Sequence, residues 1–576
     1  MKKLLHFLKG YRKESFLAPI FKMLEAIFEL LVPIAVSIII DDGINGGDTK
    51  KIWAMCGVML LLAVVGLISA VCAQFFAAKA AVGFATKLRS ALFEKIQSFS
   101  YAVTDKLGTS TLITRMTSDV NSVQTGVNMF LRLFMRSPFI VFGAMICALI
   151  IDVRLGLIFI GVILALAIIV FGIMLISIAL HKKTQKRLDG VVAKVRGNYQ
   201  GVRVIRAFNK EKDEIGDFDE KIDSLTKIQR FAGRISALMN PLTYAVINFA
   251  IILLIQNGAL QVNSGNITQG ELIALYNYMS QILVELIKLA SLIITLNKAS
   301  ASAQRISDVF DMPSDVDFKA DCTDDEEKYA VKFENVSFRY ASESQDNVIE
   351  NISFSIKPGE TVGIIGGTGS GKTTLANLIS GFYHATEGNA FIYGKNASLL
   401  DESDRKEIFG IVPQKATLFS GTIRSNLLFG DENATDDDLW LSLDLAMAKD
   451  FVSEKPAGLD EPVLQNGSNF SGGQRQRLTI ARALTRKPKI LILDDSASAL
   501  DYATEAALRK NIASLDYSPT VFIISQRASS IMHANKIIVL DDGVPVGIGA
   551  HNELLATCDI YKEIYATQFS EGGEQK

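Results

Sequence analysis

Residues 470–501 read FSGGQRQRLTIARALTRKPKILILDDSASALD. The run joins a glycine-rich turn, a basic helical stretch and a near-continuous apolar segment, ILILDD, that ends in Asp494 and Asp495. A strand apolar on both faces belongs in a buried parallel sheet, and acids at its carboxyl end lie where open α/β sheets take their ligands. A nucleotide site is expected here.

Working outward, residues 360–382 read ETVGIIGGTGSGKTTLANLISGF, a strand, a glycine loop and a helix in turn. Gly366 to Thr373 fits the pattern GxxxxGK(S/T). Glycines let backbone N–H groups close around phosphate, the helix N-terminus adds a favourable dipole, a lysine reaches the outer phosphates and a hydroxyl ligates Mg²⁺. The expected nucleotide-binding set is Gly366, Gly367, Thr368, Gly369, Ser370, Gly371, Lys372, Thr373 and Thr374, with Thr373 on the metal. Strands and helices alternate from about residue 331 to 570, as in a parallel α/β domain.

The whole chain is too long for one core, at 576 residues. Its 49% hydrophobic and 21% charged residues suit a membrane protein carrying a soluble part. A net charge of -2 gives no reason to invoke nucleic acid. The five cysteines show neither metal-ligand nor disulfide-framework spacing. Six apolar runs are long enough to cross a bilayer: 16–40, 52–78, 129–151, 155–180, 241–262 and 271–296. Arg132 and Arg136 interrupt the start of the third.

Lys2, Lys3, Lys9, Arg12 and Lys13 precede the first run and HKKTQKR follows the fourth, so both termini and the two long connections are assigned to the cytoplasm. Those connections, 79–128 and 181–240, keep helical periodicity, and spans two to five are expected to continue as antiparallel helices beyond the membrane. The resulting division is an interfacial helix at 1–15, a six-helix all-α transmembrane domain at 16–300, an acidic linker at 301–330, the α/β P-loop domain at 331–570 and a disordered tail at 571–576.

With these motifs in this order, nearly the whole chain resembles an ATP-binding cassette exporter half-transporter. The resemblance implies roles for residues that patterning alone does not assign. Tyr340 matches the aromatic residue that stacks on adenine, Gln414 the glutamine that touches Mg²⁺ and senses the membrane domain, and Asp494 the Mg²⁺-associated acid. Ser471, Gly472, Gly473 and Gln474 match the signature that binds the γ-phosphate of ATP held by the opposite cassette. Segments 105–124 and 197–218 resemble the loops that carry coupling helices. ATP and Mg²⁺ are the implied cofactors, and a second half-transporter the implied partner. The implied location is a bacterial plasma membrane.

Two positions depart from the family pattern. Hydrolytic members follow the strand with a glutamate as general base, where this chain has Asp495; further on, Gln526 stands in place of a histidine that contacts the γ-phosphate. Aspartate is one methylene shorter, and a base must come within about 2.6–3.2 Å of the attacking water. A neutral amide still donates a hydrogen bond but relays no proton. Together they suggest the degenerate-site subunit of a heterodimeric multidrug exporter. A self-sufficient homodimer and an ATP-gated regulatory protein without uphill transport stay open as alternatives.

Charged residues inside spans are costly and mark function or pairing. Lys22, Glu25 and Glu29 share a face of the first span, and Glu285 and Lys288 a face of the sixth. Either these groups line a path for a small amphipathic substrate, or they form an ion-paired seam such as Lys288 with Glu25 or Glu29.

Overall fold

The computed structural model describes residues 2–314, 328–340, 346–496 and 498–569. The described residues form two compact units: Met1–Ser98 with Leu107–Pro313, and Phe99–Lys106 with Ser314–Lys576. The expected tail at 571–576 and residues 315–327 of the acidic linker fall outside the described residues.

The first unit is helical throughout: α1 (Arg12–Ile38), α2 (Thr49–Gln97), α4 (Thr109–Thr114), α5 (Val120–Leu133), α6 (Arg136–Ile151), α7 (Val153–Ala207), α8 (Glu211–Ala237), α9 (Met239–Asn263) and α10 (Gln269–Asp311), with α3 (Tyr101–Leu107) set between α2 and α4. Six helical stretches among the described residues are long and apolar enough to cross a membrane. Side-chain caps start the long helices. Asp48 accepts from the N–H groups of Lys50 and Lys51, Asp152 from that of Leu155, and Thr268 with Glu271 closes a reciprocal box on α10.

At about 1.5 Å per residue a 55-residue helix such as α7 is far longer than the ~30 Å hydrocarbon core, so much of it stands outside the bilayer. Only the three residues 208–210 separate α7 from α8, as antiparallel helical extensions require. The core forms around α10, which packs on α1, α5, α6, α7 and α9. Tyr278 is fully buried there and its hydroxyl donates to the Leu30 carbonyl at 2.7 Å.

Two boundaries differ from the sequence reading. The N-terminal helix expected at 1–15 is a 3₁₀ segment at Lys2–Tyr11, and α1 begins at Arg12 rather than at residue 16. The linker was placed from residue 301, yet α10 continues to Asp311, because Ala299, Ser302, Ala303, Ile306 and Val309 keep a buried stripe going.

The second unit holds two main sheets. Strands β1 (Val331–Phe338), β2 (Ile349–Ile356), β4 (Glu387–Ile392) and β5 (Lys395–Asn396) form an antiparallel sheet in the order β2-β1-β4-β5. Strands β3 (Thr361–Gly366), β6 (Phe409–Val412), β9 (Ile490–Asp494), β10 (Thr520–Ile524), β11 (Lys536–Asp541) and β12 (Val544–Gly549) form the other, ordered β12-β11-β3-β10-β9-β6. A short pair, β7 (Gly421–Thr422) and β8 (Pro462–Val463), stands apart. All five residues of β9 are buried, as the apolar run required, and β9 and β3 flank β10 in parallel. The carboxyl ends of β3 and β9 therefore open on the same side of the sheet.

Candidate functional site

At the end of β3 the chain turns through a glycine loop into α11 (Lys372–Ile379). The turn needs glycine at three positions. A Cβ on Gly366 would lie 2.1 Å from the Leu540 carbonyl oxygen, and Gly371 has φ +93° with the Ile349 side chain 2.7 Å from where its Cβ would be. Gly369 has open space around it but φ +86°, and Gly367 faces open space.

Lys372, at the first position of α11, folds its ammonium back under the loop, donating to the carbonyls of Gly366 at 3.0 Å and Gly367 at 2.5 Å. It is nearly buried, and burial lowers its pKa, while the nearby charges of Asp495 and Asp494 act in the opposite direction. The next residue, Thr373, donates its hydroxyl to Asp494 Oδ1 at 3.4 Å. Asp494, the last residue of β9, is 7% exposed, and burial raises its pKa against the pull of the Thr373 hydroxyl. Both charges are thus held at a disadvantage that a bound ligand of matching charge would relieve.

Asp495 leaves the strand in a left-handed conformation, φ +46°. Its N–H donates to the Ile524 carbonyl at 2.9 Å, and its own carbonyl accepts from the Ser498 N–H at 3.3 Å and hydroxyl at 2.8 Å. These bonds clamp the backbone from both sides. Gln414 meets this residue, its Nε2 donating to Asp495 Oδ2 at 3.4 Å. Gln526 lies two residues beyond Ile524, the register partner of Asp494. It is exposed, its carbonyl accepts from Gln568 Nε2 at 2.8 Å, and its own amide makes no hydrogen bond among the described residues.

Tyr340 presents a half-exposed ring beside the loop and shares a 2.9 Å hydrogen bond between its hydroxyl and Thr374 Oγ1. The structure therefore gathers Tyr340, the glycine loop, Gln414, Asp494 and Asp495. Ser471 to Gln474 lie elsewhere: Ser471 caps the helix Gly472–Thr485 in a reciprocal box with Gln474, at 3.3 and 3.0 Å, and no hydrogen bond joins them to the loop.

ATP with Mg²⁺ fits this donor set. Thr373 and Asp494 offer hard oxygen ligands, and no cluster of three or more histidine, cysteine or carboxylate side chains among the described residues could hold a metal unaided. That suits an ion held by one or two protein oxygens and by substrate phosphates.

Sequence reasoning placed one segment too late. Residues 99–106 belong with the second unit: the Tyr101 ring stacks on Phe382 with centroids 4.1 Å apart, Ala102 packs on the core, and the Tyr383 hydroxyl donates to the Asp105 carboxylate. The Tyr383 ring in turn lies edge-on to Tyr340 at 5.2 Å. Burial, reinforced by Asp105, holds the Tyr383 hydroxyl protonated by raising its pKa. The segment expected to begin at Asp105 thus starts four residues earlier, at Tyr101.

The charges within the first unit also pair differently from expectation. Arg136, read as an interruption of the third span, is the hub: it contacts Glu29 at 2.6 Å, Glu285 at 2.6 Å and Glu25 at 3.7 Å. Ser137 adds a 2.8 Å hydrogen bond to Glu285. Lys288 pairs with Glu285 of its own helix at 2.8 Å, and Lys22 with Glu25 at 2.5 Å, so neither forms the Lys288–Glu25 or Lys288–Glu29 seam. Arginine wins that place because its fork can serve three carboxylates, whereas an ammonium is a point charge. Glu29 and Glu285 also line a cavity of about 480 Å³ with Asn277, Ser280, Gln281 and apolar residues including Val32 and Val284.

Two family models match: "ABC transporter transmembrane region" over residues 15–286 and "ABC transporter" over 349–498. The ABC transporter ATP-binding protein YfiB of Bacillus subtilis is 36% identical over 575 residues, covering 100% of both chains. A putative export ATP-binding/permease protein of Rickettsia felis is 27% identical over 99% of each. Among solved structures, a bacterial Atm1-family ABC exporter with ATP bound superposes with a TM-score of 0.81 at 22% identity, over 98% of this chain and 99% of the other.

Proposed function

The chain belongs to the ABC transporter family, whose cassettes hydrolyse ATP, and from that premise we propose that it is one half of a heterodimeric exporter of hydrophobic or amphipathic compounds. In this reading its own ATP site is degenerate, and its signature, Ser471 to Gln474, completes the partner's catalytic site. The clamped backbone at Asp495 is the observation that carries the reading. A shorter carboxylate could reach a water only if the main chain advanced, and hydrogen bonds to Ile524 and Ser498 oppose that advance. Gln526, free of other bonds, offers donors to a phosphate but no proton relay.

When bound, Mg²⁺ and the surrounding donors stabilise charge on the transferring phosphoryl group. Lys372 would hold the outer phosphates, Thr373 and Asp494 the metal, and Tyr340 the base. Gln414 would reach the metal from beside the Asp495 carboxylate, to which its amide donates at 3.4 Å.

The cavity beside Glu29 and Glu285 supports an amphipathic substrate, since it joins apolar walls to polar groups. Both acids already face Arg136, so a cationic substrate would have to share them with the guanidinium.

The test is ATP turnover and substrate movement in lipid vesicles by the chain co-purified with its partner. Ser471→Ala should damage turnover more than Asp495→Ala does. If Asp495→Ala is the more damaging, or if the chain alone hydrolyses ATP steadily, the degenerate-site reading is wrong and the homodimer stands.

A further inference from the structure

At the end of the bundle opposite Asp311, a groove of about 570 Å³ lies between the first turn of α7 and the last turns of α9. Its rim holds Arg154, Gln261, Ser264 and Asn266, and its wall Ile158 and Leu260. No carboxylate lines it. Arg154 is exposed and makes no hydrogen bond or ion pair with any described residue. The acid nearest to it in sequence, Asp152, is occupied in capping the Leu155 N–H at 2.8 Å.

Of the other rim groups, Gln261 keeps a free donor, while the Asn266 amide also donates to Ser264 Oγ at 3.1 Å. Asn266 Nδ2 donates to Gln261 Oε1 at 2.6 Å, which uses the acceptor of that amide and leaves Gln261 Nε2 without a partner among the described residues. Ser264 in turn is tied to the Gln261 carbonyl at 2.9 Å, fixing the turn that carries these groups. A guanidinium and an amide N–H facing one space, with no acid among them, select an anion with several acceptor oxygens.

Apolar surface continues from the rim. Leu157, Leu164 and Ile168 form one stripe of α7, beginning a turn below Arg154, and are 58%, 60% and 74% exposed; Ile252 and Phe249 of α9 are 61% and 64% exposed. A soluble anion has no use for that stripe, whereas an acyl chain does. The position suits it too, since residues at the ends of spans sit at headgroup level.

We propose that this groove binds an anionic membrane phospholipid, with Arg154 and Gln261 on its phosphate and the acyl chains along the exposed stripes of α7 and α9. The test uses the full chain, delipidated in detergent and offered equimolar phosphatidylglycerol and phosphatidylethanolamine, with bound lipid counted by native mass spectrometry. Wild type should retain phosphatidylglycerol preferentially. Arg154→Gln should retain about fivefold less of it, the worth of one basic side chain at an anionic surface. Arg154→Lys should keep most of the preference, and nucleotide binding by both variants serves as the folding control. An unchanged preference in Arg154→Gln overturns the proposal. Displacement of the lipid by soluble glycerol phosphate overturns it as well, since that marks a site for a free anion.

Discussion

Two of the places where this chain buries opposite charges are built on opposite terms. Around Arg136 every carboxylate has a cation within an ion-pair distance, and Ser137 bonds Glu285 as well. Around Lys372 the ammonium meets only neutral oxygens of its own loop, two carbonyls and the Ser370 hydroxyl, and Asp494 only a hydroxyl at 3.4 Å. Closing the charges makes the first arrangement a fastening. Leaving them unmatched makes the second a receptor, since a nucleotide and its metal supply what each lacks. Burial and charge in a sequence do not separate the two cases; the state of pairing does.

The comparison breaks most readily at Arg136. Arg136→Ala would take the shared cation from three carboxylates, leaving Glu25 and Glu285 one lysine each and Glu29 no cation among the described residues, and should destabilise the protein by about 3–5 kcal/mol, read as a lowered melting temperature in detergent. Replacing Arg136 by Met together with Glu25, Glu29 and Glu285 by Gln should cost far less. If the single and quadruple changes melt alike, the network is not a fastening.

Lys372→Ala tests the receptor. It should lower ATP turnover by the assembled transporter, or nucleotide binding at this site, by about 10²–10³-fold while leaving the melting temperature nearly unchanged, because no ion pair is lost. A large loss of stability instead would mean that the lysine serves the fold.

Asp494 gives a sharper case. Its folded pKa is raised, so the nucleotide-free cassette is steadier when that group is protonated. This contribution is present below the ordinary carboxylate value near ~3.9 and is lost as pH rises through the raised folded value. Asp494→Asn should therefore raise the nucleotide-free melting temperature by about 2–4 °C and remove the pH dependence. Magnesium-dependent nucleotide binding should be lost at the same time. A lower melting temperature in this variant would show that the acid is satisfied after all.

The smallest effect is expected at Tyr383. Tyr383→Phe keeps the ring against Tyr340 and deletes only the bond to Asp105. Amide exchange in residues 99–106 should quicken about tenfold, the worth of one hydrogen bond to a charged group.

What the sequence disclosed follows from how local each signal is. The six spans, the strand Ile490–Asp494 and the loop Gly366–Thr373 are written in contiguous residues, and each appears as its pattern required. Arg136 was misread because a count of apolar residues treats any charge as an interruption, whereas its partners come from two other helices, at Glu29 and Glu285. The meeting of Gln414 with Asp495 joins positions 81 residues apart, and that of Tyr383 with Asp105 joins positions 278 apart. No periodicity or motif carries such pairs; only the folded chain does. The limit of α10 was missed because its last four turns bury small residues, Ala299, Ser302 and Ala303, whose composition resembles a linker.

The eight residues at 99–106 have a practical corollary. A cassette expressed by itself from residue 328 onward would lack a piece of its own surface. Phe382 would lose the ring stacked on it, and Ala102 would leave the core it covers. Such a fragment should be prone to self-association through that bared face, and a synthetic peptide of residues 99–107 should restore it to a monodisperse monomer.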